Sequence, residues 1–260
     1  MESLLTQSYS NLEIVFSEGG GNDTGLDYLE SLTDPRVRII EQPRGTSAAR
    51  NWTAVSEAAE GEFTKLICQD DLLYPRAIEQ QVAQLIEQPA AVMAIASRDI
   101  VDARGHTIFR NRGLSGIKGT LIDGSEAIRQ CYLQGTNVMG EPLAVLFRTD
   151  VLKESLPWLD DNPLMLDLSM YEKVAPLGSV CVQNQAVGAF RVSSNSWSTN
   201  LARQQLDQTR QWQEDYAARH GDELSGRDHR RAATGRTVQT SLRRLAYTVL
   251  KLRGRLVSDP

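Results

Sequence analysis

Over its first two thirds, the chain alternates short apolar runs with longer stretches in which apolar residues recur at helical spacing. The apolar runs cover 12–16, 37–40, 65–68 and 91–96. Between them, Thr46 or Ser47 caps a helical stretch that extends to Ala59, and Pro75 opens another. That second helix is predicted to bury a stripe formed by Ile78, Val82, Leu85 and Ile86. The alternation predicts an α/β fold with a mostly parallel central sheet flanked by helices.

The pattern changes at about residue 198. Before it, we predict a helix over 122–133, a hairpin near Gly105 and strands over 144–148, 179–183 and 187–192. After it, the sequence is typical of long charged helix, with a break over 221–230. The pattern therefore predicts an α/β domain over 1–198 and a helical C-terminal extension over 199–260.

Two adjacent carboxylates, Asp70 and Asp71, end the apolar run that begins at Lys65. In open α/β sheets, ligands bind at the carboxyl edge of the strands. Two carboxylates in such a crevice favour a hard divalent cation that bridges them to an anionic ligand such as a diphosphate. The alternative is that Asp71 caps a helix that starts near Tyr74. By itself an Asp-Asp pair favours this alternative by about three to one.

Composition narrows the classes of function. The net charge of −5 argues against a nucleic-acid partner, which requires a basic surface. Three cysteines without paired spacing indicate reduced thiols in a cytoplasmic compartment, and neither they nor the three histidines show the spacing of a structural metal site. The sequence contains no run of about 18 apolar residues, so it predicts no transmembrane helix.

Several short segments of the chain occur in the order and spacing of one enzyme family. They are Asn11–Val15, Asp34–Arg38, Ala48–Asn51, Ala59–Phe63, Gln69–Pro75, Gly140–Pro142, Phe190–Val192 and Ser196–Ser198. Through these segments the chain resembles family 2 glycosyltransferases over residues 1 to about 198. The resemblance implies the GT-A fold and inverting transfer of a sugar from a nucleotide diphosphate sugar. The implied acceptor is a saccharide or a lipid-linked hydroxyl, in cell-surface polysaccharide or glycolipid synthesis.

The resemblance assigns the donor side of the site. Asp70 and Asp71 are expected to hold Mn²⁺ or Mg²⁺ against the donor diphosphate, as a variant of the family's Asp-x-Asp motif in which Cys68 replaces the usual first Asp. Glu18 is expected to bind the nucleotide, where the family usually has Asp-Asp-Gly-Ser. Arg50 is equally compatible with a donor contact and with a simple ion pair.

An inverting transfer needs a general base for the acceptor hydroxyl. The resemblance places that role at Asp167, which opens a predicted helix between apolar residues that should desolvate it. Its alternative is an ordinary acidic residue at a helix start, and we favour catalysis by about two to one. Glu141, in the loop expected on the acceptor side, is the second candidate.

One departure from the family points to another function. The resemblance implies an earlier strand with a nucleotide-binding turn, whereas Met1 falls within the helix that should follow it. The first strand is therefore expected to be missing. This favours either a start that lies upstream or a degenerate, weakly active or inactive domain that acts as a binding or membrane-associated module.

The C-terminal helix has a second predicted role. Between Arg236 and Arg255 there are six basic residues and no acidic one, and apolar residues recur at helical spacing. This pattern predicts an amphipathic helix on an anionic membrane surface, and equally a helix packed on its own domain or in a dimer. The first alternative places a cytoplasmic protein at the inner face of the membrane.

Overall fold

A computed structural model describes residues 1–18, 28, 31–194 and 204–256. The strands are β1 Ile14–Glu18, β2 Val37–Glu41, β3 Phe63–Thr64, β4 Leu72–Leu73, β5 Ala91–Asp102, β6 Thr107–Arg112, β7 Leu121–Asp123, β8 Val145–Arg148 and β9 Ser179–Val192. The helices are α1 Glu2–Leu5, α2 Ala48–Ala58, α3 Ala77–Glu87, α4 Gly124–Gln134, α5 Thr149–Glu154, α6 Leu166–Val174, α7 Gln205–Arg219 and α8 Gly226–Leu252. The segment Ser196–Ser198, which contributes to the family resemblance, lies outside the described residues.

In the part of the chain that the structure describes, seven strands form the main sheet, in the order β3-β8-β5-β9-β4, with β6 beside β5 and β7 beside β9. A separate parallel pair joins β1 to β2. The predicted α/β class and the flanking helices are confirmed, but the prediction of a mostly parallel sheet is wrong. Within the main sheet as described, only β5 and β9 run parallel. The hairpin at Gly105, with φ of +82°, returns β6 antiparallel to β5. Strand β8 pairs antiparallel with an earlier part of the same β5 edge, because β9 occupies the other edge from Ala91 to Asp102.

The central strand β5 separates two layers of core. Met93 and Ile95 face the larger cluster, which includes residues of α4 and α6, whereas Ala94 and Ala96 face the layer of α3. This alternation is the period of two expected of a strand buried on both faces. In the α3 stripe Val82 and Leu85 are buried as predicted, but Ile86 is 61% exposed because it lies at the last turn, beyond the sheet-facing side.

The stretch 65–68 was predicted as a strand, but β3 ends at Thr64. The Lys65 Nζ donates to the carbonyl oxygens of Leu143 at 2.6 Å and Val145 at 3.0 Å, which holds the segment beside β8. Burial lowers the pKa of Lys65 to about 7. A turn then closes through the Asp71 N–H, which donates to the Cys68 carbonyl at 3.1 Å. The carboxylate pair therefore lies in a turn between β3 and β4.

The C-terminal helices α7 and α8 pack against α4. The Gln213 Nε2 of α7 donates to the Tyr132 carbonyl at 2.8 Å and to the Ala232 carbonyl at 3.1 Å, which joins the three helices. The backbones of α4 and α8 approach closely at Gly135 and Gly235. The break between α7 and α8 is shorter than predicted. Among the described helices none is long and apolar enough to cross a membrane.

Candidate active site

A cavity of about 170 Å³ brings together four acidic residues from three separate parts of the chain. Asp70 and Asp71 come from the turn before β4, Glu141 from the loop before β8, and Asp167 from the first turn of α6. We call it the carboxylate cavity. So many carboxylates in one partly desolvated space repel one another, which is typical of sites that receive a cation or move a proton.

Asp71 is only 5% exposed. Its Oδ1 accepts from the Arg191 N–H at 3.2 Å, and its Oδ2 is buried without a hydrogen-bond partner in the part of the chain that the structure describes. Burial and then the charge of Asp70 raise the pKa of Asp71 well above its usual value. Arg191 also holds the turn, since its Nε donates to the Asp70 carbonyl at 2.9 Å. The capping alternative is wrong, because α3 starts at Ala77 and its N-cap residue is Arg76.

The pair of carboxylates fits a hard divalent cation. Asp71 offers a buried oxygen that lacks a partner, and Asp70 adjoins it, which is the donor chemistry that Mg²⁺ and Mn²⁺ prefer. Burial and the charges of Asp71 and Asp70 raise the pKa of the Cys68 thiol well above its usual value, so the thiol is protonated at neutral pH. Among the described residues, no group of three or more His, Cys, Asp or Glu side chains is arranged so that it could hold a metal ion by itself. A cation here would complete its shell with ligand oxygens and water.

Asp167 is held by two hydrogen bonds. Its Oδ2 accepts from the Asn137 Nδ2 at 2.8 Å, and its Oδ1 accepts from the Leu168 N–H at 2.7 Å. Burial and then the charge of Glu141 raise the pKa of Asp167 to about 7. Asn137 is itself fixed, because its Oδ1 accepts from the Met139 N–H at 3.0 Å. A carboxyl group with this pKa and a fixed direction can accept a proton at neutral pH.

Glu141, the second candidate for the base, is paired with Arg98 of β5. The Arg98 Nη2 donates to the Glu141 Oε1 at 2.8 Å, and its Nε contacts the Glu141 Oε2. Burial alone raises the pKa of Glu141, but the adjacent Arg98 guanidinium outweighs it and lowers the pKa below the usual value. A carboxylate with a lowered pKa is a weak base, and its charge helps to raise the pKa of Asp167.

Of the described side chains that line the carboxylate cavity, none is Arg50. Arg50 is exposed on α2, and no described acidic residue pairs with its guanidinium. The backbone of Glu18 ends β1 opposite Glu41, and its side chain lies outside the described part. Their roles at the donor remain predictions.

Sequence reasoning missed the residues that hold the acids in place. Asn137, Arg98 and Arg191 orient Asp167, Glu141 and the carboxylate pair respectively. Arg191 and the turn at Asn137 stand out in the sequence as polar residues beside apolar strands, but nothing in their spacing names their partners. Arg243, on α8, also lines the cavity, far along the chain from the carboxylates.

Comparison with known proteins shows which family the chain matches. The profile described as Glycosyl transferase family 2 matches residues 1–156. Over 215 residues the chain is 23% identical to an uncharacterized protein of Mycobacterium tuberculosis, a match that covers 77% of this chain and 64% of that protein. The chain thus spans less than two thirds of that relative's length.

Two solved structures share the fold. Staphylococcus aureus TarS, residues 1–349 in complex with UDP-GlcNAc, aligns with a TM-score of 0.60 at 14% identity over 80% of this chain and 60% of that one. The mannosyltransferase PcManGT from Pyrobaculum calidifontis, in complex with GDP-Man and Mn²⁺, aligns with a TM-score of 0.57 at 12% identity over 96% and 81%. At these identities the likeness shows the fold alone, which is GT-A. With the family profile matched over residues 1–156 of 260, this chain belongs to glycosyl transferase family 2.

Proposed function

We propose that this protein transfers a sugar from a nucleotide diphosphate sugar to a hydroxyl acceptor, with inversion at the anomeric carbon. The observation that carries the proposal is Asp167, a fixed carboxyl group with a pKa of about 7 in the cavity that also holds Asp70 and Asp71. A base and a diphosphate-binding pair within one cavity are the two parts that an inverting transfer requires.

In the proposed reaction the acceptor oxygen attacks the anomeric carbon while Asp167 takes the hydroxyl proton. The bond from that carbon to the diphosphate oxygen breaks, and the nucleotide diphosphate leaves with the electron pair. Asn137 keeps the Asp167 Oδ2 in place, and Glu141 stays paired with Arg98. Asp70 and Asp71 would hold Mn²⁺ or Mg²⁺, which neutralises charge on the leaving diphosphate. Attack from the face opposite the diphosphate inverts the configuration.

Support for the donor comes from the two similar structures, which contain UDP-GlcNAc in one case and GDP-Man with Mn²⁺ in the other. We propose a nucleotide sugar of the same class here, and a saccharide or lipid-linked acceptor in cell-surface polysaccharide or glycolipid synthesis. A screen of UDP-, GDP- and dTDP-sugars with Mn²⁺ tests the activity by the release of nucleotide diphosphate. Release from none of them would favour the degenerate binding module instead.

The pH dependence of transfer follows from the raised pKa of Asp167. Asp167 accepts a proton only when it is ionised, and a pKa of about 7 leaves it half ionised at that pH. We expect the transfer rate to fall by about tenfold per pH unit below pH 7 and to level off above it. Rates measured with a saturating donor from about pH 5.5 to 8.5 check this, with nucleotide affinity measured at each pH. A rate that is constant below pH 7 would exclude Asp167 as the base.

The exposed face of α8 supports contact with a membrane. Its apolar stripe consists of Val238, Leu242, Leu245, Val249 and Leu252, each between 37% and 82% exposed. Packing on the chain's own domain instead uses Ala232, Thr240 and Leu250, which are buried. We propose that the exposed stripe contacts an anionic membrane surface. A dimer through this face is less favourable, because the segment from Arg236 to Arg255 has no acidic residue that could pair with the basic residues of a second copy.

Only part of the basic charge is available for that contact. Arg236 donates to the Gln213 Oε1 at 2.6 Å, Arg255 lies 3.8 Å from Asp102, and Arg243 lines the carboxylate cavity. The three remaining basic residues of the segment are exposed: Arg244, Lys251 and Arg253.

Replacing Arg244, Lys251 and Arg253 together by Gln should reduce binding to anionic vesicles by about tenfold or more at low salt, since each basic residue near the surface contributes about 1 kcal/mol. Sedimentation with phosphatidylserine vesicles measures the effect. A matched control replaces three exposed arginines at the start of the same helix: Arg227, Arg230 and Arg231. An equal loss in both triple variants, or a dimer that binds no vesicles, would contradict the proposed contact.

A further inference from the structure

The C-terminal helices contribute three polar side chains to the carboxylate cavity that the proposed reaction does not use. Gln205 and Thr209 lie one turn apart at the start of α7, and Arg243 lies on α8. The family match ends at residue 156, so all three belong to the part of the chain beyond it. The extension is therefore a wall of the site as well as an appendage.

Two of these side chains have buried oxygens without hydrogen bonds. Gln205 is 2% exposed and Thr209 is 1% exposed. The Oε1 of Gln205 and the Oγ1 of Thr209 have no hydrogen-bond partner within the described ranges. Buried polar groups in native proteins are normally paired, and a pair of exceptions on one cavity wall needs an explanation. A ligand hydroxyl, which both donates and accepts, would satisfy both side chains.

The third side chain is a half-buried cation. Arg243 makes no hydrogen bond or ion pair with any described residue, and its charge contributes to lowering the pKa of Glu141. Glu141 itself is already held by Arg98. The guanidinium of Arg243 thus keeps its planar set of donors, which matches a carboxylate or a phosphate group.

Arg243 is placed by the close contact between α4 and α8. A Cβ added at Gly235 would lie 2.7 Å from the carbonyl oxygen of Gln134, so the two backbones nearly touch there. Arg236 follows at once and donates to Gln213. Arg243 lies two helical turns after this anchored point, about 12 Å along the axis. The position of its side chain at the cavity is therefore fixed by packing and does not depend on a free helix end.

We propose that Gln205, Thr209 and Arg243 form the acceptor subsite, and that they bind a hydroxyl-rich acceptor carrying a negatively charged group. Gln205 and Thr209 bind acceptor hydroxyls, and Arg243 binds the carboxylate or phosphate. This inference rests on the proposed function, because only a transferase needs an acceptor beside Asp167. The other side of the cavity, with Asp70 and Asp71, is left for the donor.

Two sugars that differ only in charge test the subsite: methyl glucoside, which is neutral, and methyl glucuronide, which carries a carboxylate. Ligand-observed NMR titration against the full chain gives their dissociation constants. We expect the glucuronide to bind about tenfold more tightly, as for a charge-assisted hydrogen bond, and Arg243→Gln to remove that difference. Thr209→Val and Gln205→Ala should weaken both sugars. The matched control Arg231→Gln removes an exposed charge from the same helix and should leave both dissociation constants unchanged.

Release of nucleotide diphosphate from the donor, with water as acceptor, is measured on the same variants, and the control Arg231→Gln, which lies outside the cavity, should leave it unchanged. If the wild type binds neither sugar, or binds both equally, the subsite is overturned while donor hydrolysis can still be present. If Arg243→Gln instead reduces nucleotide affinity, Arg243 belongs to the donor side and the inference is wrong. Absence of donor hydrolysis in the wild type would overturn the proposed function, independently of the binding of the two sugars.

Discussion

Replacing Asp167 by Asn should lower kcat by about a hundredfold or more, the usual range for loss of a general base. Asn has nearly the same size and still accepts from the Leu168 N–H through its Oδ1, but it cannot take the acceptor proton. The affinity for the nucleotide should stay within about twofold, since Asp167 acts on the acceptor. Initial rates with saturating donor, and nucleotide binding by calorimetry, measure the two quantities.

The chain offers a matched control for this substitution. Asp150 also lies in the first turn of a helix, and its Oδ1 accepts from the Val151 N–H at 2.8 Å, as Asp167 does from Leu168 at 2.7 Å. Asp150 is exposed and does not line the carboxylate cavity. Asp150→Asn should therefore leave kcat unchanged. A near wild-type kcat in Asp167→Asn would reduce Asp167 to a residue of the helix start and return the role of base to Glu141.

Replacing Asp71 by Asn should weaken metal-dependent binding of a nucleotide diphosphate without destabilising the fold. Loss of even an outer-shell partner costs about ten- to a hundredfold in metal affinity, so loss of a direct ligand should cost at least that. The Asn Oδ1 can still accept from the Arg191 N–H, which keeps the turn intact. Calorimetry with UDP and GDP, with and without Mn²⁺, measures the loss, and Asp70→Asn should behave in the same way.

The effect on stability separates this role from a structural one. The pKa of Asp71 is raised in the folded state, so the folded state binds a proton more tightly than the unfolded chain does. Above its usual pKa the ionised carboxylate therefore costs stability, and Asn removes that cost. At pH 7 to 8 and without metal, the unfolding temperature of Asp71→Asn should be equal to or above that of the wild type. A clear decrease, with unchanged binding of nucleotide, would make Asp71 a structural residue. Asp161→Asn, in an exposed loop, is the control.

The carboxylate pair shows how far a local pattern could be interpreted. The apolar run before Asp70 correctly indicated a segment that is at least partly buried and ends at two carboxylates. It did not show whether this segment is a β-strand or only extended chain, because that difference depends on hydrogen-bond partners far along the chain. Lys65 binds carbonyl groups of Leu143 and Val145, 78 and 80 residues away, and the backbone N–H of Arg191 holds Asp71. The capping alternative is excluded by the start of α3 at Ala77, which the local sequence does not fix.

The direction of the strands depended in the same way on contacts that a sequence window does not contain. The apolar runs at 91–96 and 179–183 were sufficient to predict buried strands, and both exist within the longer β5 and β9. Their parallel pairing agrees with the prediction. The antiparallel strands around them result from the hairpin at Gly105 and from the entry of β8, which bring the chain back in the opposite direction.

The sequence by itself determined the α/β class, the family resemblance, a helix cap at Thr46 or Ser47 and the acidic residues of the cavity, because these depend on local periodicity and on residue type. The structure places that cap at Ser47. Only the tertiary structure decided which groups hold those acids and what protonation they favour. The pKa of Asp167 and that of Glu141 move in opposite directions because one is desolvated beside a negative charge and the other lies against Arg98. It also decided that Arg243 reaches the cavity, since that depends on the close approach of the α4 and α8 backbones, of Gly135 to Arg236 and of Gly235 to Gln134. Burial and pairing of charges are properties of three-dimensional neighbours, and the order of residues along the chain does not specify them.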